Sequence, residues 1–186
     1  VDCYKEVKGK RGVKVTVSVS CFVPKAYTPF QWFAQVPQEE FERRQRLLKE
    51  SIRDRAISFH YHDARASVLE GALSRGDRRL SAVIETAWRN GAKFDGWTDQ
   101  FKDEVWKDAF CRCGVAPEFY SRRTRDLEEV LPWAHTSPGV SADFLRREWQ
   151  RAQEAALTHD CRRETCTGCG VCPELGCEIV DWRGEA

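Results

Sequence analysis

Five of the nine cysteines crowd one stretch near the end of the 186-residue chain, as Cys161-x4-Cys166-x2-Cys169-x2-Cys172-x4-Cys177. Thiolates are soft donors, and such short spacings let a few turns of backbone wrap several of them around one ion or cluster. Gly168, Gly170 and Gly176 supply residues that tolerate the tight turns this wrapping needs. Four thiolates suit both tetrahedral zinc and a [4Fe–4S] cluster, so either metal satisfies the pattern. The bland alternative is a flexible, redox-sensitive tail whose thiols bind nothing. An odd total of clustered cysteines fits ligation in a reducing, cytoplasmic compartment better than a disulfide framework. The basic stretch Lys5 to Lys14 also leads into alternating Val rather than into the apolar core of a secretory leader.

Other candidates carry less. His60 and His62 share a face if their segment is a strand, with Asp63 beside them, a spacing that two metal ligands can use. Two half-exposed histidines before a helix start is the plainer reading. Cys111-x-Cys113 needs partners from elsewhere and reads by default as core packing plus one exposed thiol. Arg43-Arg44-x-Arg46, Arg122-Arg123-x-Arg125 and Arg146-Arg147 are each flanked by Glu or Asp, as on solvated helix faces, with RNA contact as the alternative. The sequence has no Walker loop, nucleophile elbow or dinucleotide fingerprint.

Composition bounds the scaffold that must position these residues. A hydrophobic share of 41% with seven Trp excludes a disordered chain, while 32% charged residues without a long apolar run excludes a membrane span. Thirty basic against 29 acidic residues leaves no broad positive field for nucleic acid or anionic lipid. The chain has no Met and opens on Val1, which reads as a piece of a longer polypeptide. Alternation over Val13 to Val19 predicts a strand with one buried face. The following loop, through Cys21, Phe22, Pro24, Tyr27, Pro29, Phe30 and Trp32, has prolines that forbid regular structure and aromatics that seek burial or a ligand. A helix is predicted from Pro37 to about Arg55, and a short strand over Ala56 to His62. Beyond it, Leu80, Val83, Ile84, Ala87 and Trp88 describe an amphipathic helix closed by Asn90-Gly91. Phe101, Val105, Ala109 and Phe110 describe another after Thr98, stopping at Gly114, and Leu145, Trp149, Ala152 and Ala156 a third after Ser141. The expected division is a strand-loop-helix unit over 1–56, a mainly helical region over 57–158 and a Cys-rich metal-binding tail over 159–186.

The run from Gly12 through the Val strand and the loop Cys21-Phe22-Val23-Pro24-Lys25-Ala26-Tyr27-Thr28-Pro29-Phe30-Gln31-Trp32 closely resembles the end of the barrel in radical S-adenosylmethionine proteins of the cobalamin-binding-domain type. The likeness continues through Gly76-Asp77-Arg78-Arg79-Leu80, Ala87-Trp88-Arg89-x-Gly91-Ala92-Lys93-Phe94-Asp95, Leu131-Pro132-Trp133 and the closing Cys-Gly-Val-Cys element. It implies an α/β fragment, the last strand, loop and helix of a radical-SAM-type partial TIM barrel, followed by a mostly α-helical C-terminal region with a Cys-rich tail. It also implies a parent enzyme that uses S-adenosylmethionine, a catalytic [4Fe–4S] cluster and cobalamin. The cobalamin-binding region and the barrel half with Cys-x3-Cys-x2-Cys would lie upstream as partners of this segment. Cys161-x4-Cys166-x2-Cys169 comes within one residue of that catalytic spacing but lies at the wrong end of the chain, so the segment alone is expected to be inactive and to hold no catalytic residue. Barrel active sites lie at the C-terminal ends of the strands. Phe22, Lys25, Tyr27, Phe30 and Trp32 would therefore border the substrate chamber, Lys25 meeting an anionic group and the aromatics stacking on a base, excluding water or simply plugging the barrel mouth. The tail would supply an auxiliary site for a [4Fe–4S] cluster or zinc. A zinc-stabilised helical interaction module, docking on a protein or RNA, is the alternative function.

Overall fold

The structure is a computed structural model that describes Cys3, Glu6 and residues 13–178, so Gly12 of the family-like run and residues 179–186 of the tail lie outside the described residues. Its architecture is mixed α/β and mostly helical. Strands β1 (Val15–Val19) and β2 (Ile57–Tyr61) accompany seven helices among the described residues: α1 (Gln38–Ser51), α2 (Ala64–Leu73), α3 (Leu80–Arg89), α4 (Asp103–Arg112), α5 (Pro117–Ser121), α6 (Ala142–Gln153) and α7 (Val171–Leu175). None of these helices is long and apolar enough to cross a membrane.

The β-branched alternation of β1 produces the predicted strand, with Val15, Val17 and Val19 half-buried and Thr16 and Ser18 exposed. It pairs with β2 in parallel, Val15 opposite Ile57 and Val19 opposite Tyr61, and α1 is the crossover that a parallel pair requires. Pro37 stands immediately before α1 rather than in its first turn, and Glu39 and Glu40 follow where acids favour the helix N-terminus. The helix stops at Ser51, short of the expected Arg55. The reason is a turn at Asp54, whose side chain accepts the Ala56 N–H at 2.8 Å while its carbonyl accepts the Ile57 N–H, which feeds the chain into β2.

By packing, the chain divides into two compact units, Val1–Val23 with Gln35–Arg123, and Pro24–Ala34 with Thr124–Ala186. Composition places divisions near 56 and 158, whereas β1 and β2 are hydrogen-bonded neighbours across residue 56 and most of the aromatic loop belongs with the second unit.

In the first unit, α3 lies on α4, and Leu80, Val83, Ala87, Trp106, Ala109, Phe110 and Tyr120 form the core. Ile84 and Trp88 of the predicted apolar stripe instead remain 47% and 59% exposed, because Leu80, Val83 and Ala87 alone fill the buried face. Sequence periodicity misses α2, since its buried positions are Ala64, Ser67, Gly71 and Ala72 and present no large apolar side chain. Those small residues admit the buried Gln35, which donates from Nε2 to the Ser67 carbonyl at 2.9 Å and would stand 2.3 Å from a Cβ at Gly71.

Gly76 meets a harder limit, since a Cβ there would lie 1.9 Å from Cδ1 of the buried Leu80. Gly76→Ala should therefore cost about 1–3 kcal/mol as Leu80 is forced from its well. An unchanged midpoint in urea would contradict this packing. Next to it, Asp77 accepts from the Arg79 N–H at 2.9 Å and from the Tyr120 hydroxyl at 3.0 Å. The Arg79 guanidinium, hydrogen-bonded at 2.6 Å, is the main cause that holds the Asp77 carboxyl down to about 2. A carboxyl lowered by folding contributes stability above its unfolded pKa of about 3.9 and loses it as pH falls through the folded value. Asp77→Asn is thus expected to lower stability at neutral pH and to converge with the wild type near pH 2. A constant gap between the two stability curves down to that pH would contradict the assignment.

The second unit has its core in Trp32, Leu131 and Leu145, flanked by Leu127, Trp133, Val140, Phe144 and Trp149. Ser141 caps α6 by accepting the Phe144 N–H at 3.2 Å, as its position before the apolar stripe predicts.

Candidate functional site

The aromatic loop is ordered by hydrogen bonds to a buried amide that sequence reasoning overlooks. Gln31 is 3% exposed, and its Oε1 accepts both the Tyr27 N–H at 3.1 Å and the Trp133 Nε1–H at 2.8 Å. This holds Tyr27 in a left-handed conformation (φ 57°), unusual for a residue other than glycine. The Tyr27 hydroxyl then donates to the Trp133 carbonyl at 2.6 Å and touches Thr136 Oγ1. A glutamine between two aromatics in a proline-bearing loop was the available signal.

The five residues expected to face substrate occupy distinct environments. Trp32 is 2% exposed in the core, with its Nε1–H buried and without a hydrogen-bond partner. Tyr27 is half-buried, and Phe30 stands edge-on to Trp149 of α6 with ring centroids 6.0 Å apart. Lys25 is exposed, and its carbonyl accepts from Thr28 Oγ1 at 2.8 Å. Phe22 belongs to the first unit, where it is half-exposed and its carbonyl accepts from Gln35 Nε2. Within the second unit, a cavity of about 320 Å³ opens beside Tyr27, Gln31, Trp32, Glu129, Trp133 and Arg146. That is the lower end of the size range of small-ligand sites, with aromatic walls and two charged groups at the lining.

The cysteine-rich segment docks on the start of α6. The Ser141 N–H donates to the Cys169 carbonyl at 2.8 Å, and Arg147 Nη2 reaches the Thr167 and Gly168 carbonyls at 3.3 and 3.4 Å. Gly170 has φ 94° and packs so closely that a Cβ would stand 3.3 Å from the Gly139 carbonyl oxygen, so only glycine suits both its conformation and its contact. Gly168 N–H points to Cys166 Sγ at 3.4 Å, and the left-handed Gly176 closes α7 so that the Cys177 N–H reaches the Cys172 carbonyl at 3.0 Å.

Partial burial pushes the Cys172 thiol up, followed by its contact with Cys177 and the charges of Cys169 and Cys166. Cys172 thus lies near enough to Cys177, Cys169 and Cys166 to feel their charge. Among the described residues, however, no group of three or more His, Cys, Asp or Glu side chains stands in position to hold a metal ion. The two observations have different reach. Electrostatic influence spans several ångströms, whereas a zinc–sulfur bond is about 2.3 Å. The donor chemistry fits a tetrathiolate site, and its side chains do not surround a common point. Cys161 lies in a turn where Asp160 binds Arg162 and the Asp160 carbonyl accepts the Arg163 N–H.

The remaining candidates do not converge. His60 and His62 are both exposed, and His62 lies just past β2. Cys111 is exposed, while Cys113 is half-buried with its Sγ 3.6 Å from Thr86 Oγ1. Arg43 and Arg44 both bond to Glu40, and Arg146 pairs with Asp143, as expected of solvated helix faces, whereas Arg125 of the second group lies in no helix and is buried at 3% exposure against the Trp133 ring.

No family model matches the chain, and neither a curated protein nor a solved structure matches it.

Proposed function

We propose that this chain is the C-terminal portion of a radical S-adenosylmethionine iron–sulfur enzyme, contributing substrate-side contacts and an auxiliary thiolate metal site. The observation that carries the reading is the parallel β1–α1–β2 unit whose first strand runs into the aromatic loop. Parallel strands are ordinarily buried inside larger sheets covered on both faces. Here the Val face is only half-buried, and neither strand has a second hydrogen-bonded neighbour among the described residues. Such a pair suits the end of a partial barrel whose other strands come from the upstream region. Phe22, Lys25 and Phe30 are exposed, which suits contact with substrate, whereas Trp32 is buried and Tyr27 half-buried.

Reductive cleavage of S-adenosylmethionine belongs to the upstream cluster in this reading, and cobalamin to the region before it. An auxiliary cluster held by four cysteines has no open iron for a substrate. Prepared anaerobically with iron and sulfide, the chain is expected to give a reduced-cluster EPR spectrum that S-adenosylmethionine leaves unchanged, and to form no 5′-deoxyadenosine with dithionite. Cleavage by this chain alone would overturn the reading.

A second reading, a zinc-stabilised helical module that docks on a protein or RNA, is favoured by the exposed aromatics of the first unit. Trp88, Phe94 and Trp97 are 59%, 69% and 65% exposed, more apolar surface than a helical region covers itself with. Zinc without sulfide in the purified chain would favour it.

A further inference from the structure

We propose that the first unit holds a binding site for a small monocarboxylate with an apolar body, seated between α2, α4 and α5 and recognised by the Arg122 guanidinium. The site uses neither the aromatic loop nor the cysteine-rich segment, so it stands independently of the radical-enzyme reading.

Helical spacing builds it. Asp103, Trp106, Lys107 and Phe110 stand at i, i+3, i+4 and i+7 of α4, and Arg65, Val68 and Leu69 at i, i+3 and i+4 of α2, so each helix turns one face to a shared cavity of about 310 Å³. Val115 and Arg122, on either side of α5, complete the wall. The volume is at the lower end of that of small-ligand sites. Val68, Leu69, Phe110 and Val115 offer apolar wall to a single ring or a branched chain.

Charge selects the ligand's head. Two of the three cations in the lining are already engaged, Arg65 with Asp63 at 2.6 Å and Lys107 with both Asp103 and Glu104 at 2.9 Å. Arg122 is half-buried and is left without an ion pair among the described residues, and its Nε–H is buried without a hydrogen-bond partner. The Trp106 indole, 8% exposed, has an Nε1–H in the same condition. Buried donors in folded proteins are almost always paired, so both call for an acceptor. A carboxylate supplies two oxygens and the charge that a guanidinium matches best. Glu118, exposed on the same lining and four residues before Arg122, repels any further negative charge, which favours one carboxylate over a phosphate or a dicarboxylate.

Cys111 lines the cavity with an exposed thiol and so reports its occupancy. In the test, the full chain is titrated by calorimetry with phenylacetate and with its neutral amide, phenylacetamide, and cysteine alkylation is followed by mass spectrometry at saturating phenylacetate. Phenylacetate is expected to bind at least about tenfold more tightly than the amide, the usual worth of a hydrogen bond to a charged group. It should slow alkylation at Cys111 and not at Cys3, which is also exposed. Arg122→Gln should weaken phenylacetate at least about tenfold, whereas Glu118→Gln should tighten it. Equal binding of acid and amide by the wild type, or no binding of phenylacetate at millimolar concentration, would overturn the proposal without recourse to a variant. Binding that leaves Cys111 unprotected would overturn it too, by placing the ligand elsewhere.

Discussion

Trp32→Ala is expected to destabilise the second unit by about 3–5 kcal/mol, the usual cost of truncating a large buried aromatic. Trp32 is 2% exposed and packs with Leu131 and Leu145, and its carbonyl accepts the Arg125 N–H at 2.9 Å. Removing the indole leaves a cavity that three short segments, from the loop, the 131–133 turn and α6, cannot close together. Lys25→Ala, at an exposed position in the same loop, should cost under about 1 kcal/mol. The contrast matters to function, because both residues were expected to face substrate. If Trp32→Ala melts like the wild type, Trp32 is a surface contact and the core described for the second unit is wrong.

The second large effect is expected of Cys166→Ala combined with Cys169→Ala. If the proposed thiolate site forms, loss of two of its ligands should abolish stoichiometric metal, since a structural metal site does not survive on two donors. Metal binding also supplies folding free energy where the site forms only in the folded chain. The double variant should therefore lose the docking of residues 166–177 on Gly139, Ser141 and Arg147, seen as faster amide exchange at Cys169 to Cys177. Protection of α6 beyond its first turn should persist, because Leu145 is anchored by Trp32 and Leu131 rather than by the loop. Full metal retention in the double variant would place the site elsewhere.

The legible parts of the sequence were those with strong periodicity. Val15, Val17 and Val19 announced β1, Leu80, Val83 and Ala87 announced α3, and Ser141 with Leu145 announced α6. What escaped was built from side chains without such a signal. The small face of α2 is small because Gln35 occupies the space, and no local pattern encodes a partner 32 residues away. The aromatic loop read as a ligand surface because burial and ligand contact demand the same residue types. Hydrogen bonds link Gln31 and Tyr27 to Trp133, 102 positions downstream of Gln31, and leave Tyr27 half-buried, while Trp32 is buried in the core. The cysteine spacing marked a candidate site, yet among the described residues no three of its members stand in position to hold one metal ion.

The most direct test of the account is the content of iron, acid-labile sulfide and zinc in the full chain expressed and purified without oxygen. About four irons and four sulfides per chain are predicted for an auxiliary [4Fe–4S] site. About one zinc without sulfide would make the tail a structural staple and leave any chemistry to the upstream region, and a metal-free chain would contradict the thiolate metal site that both readings require.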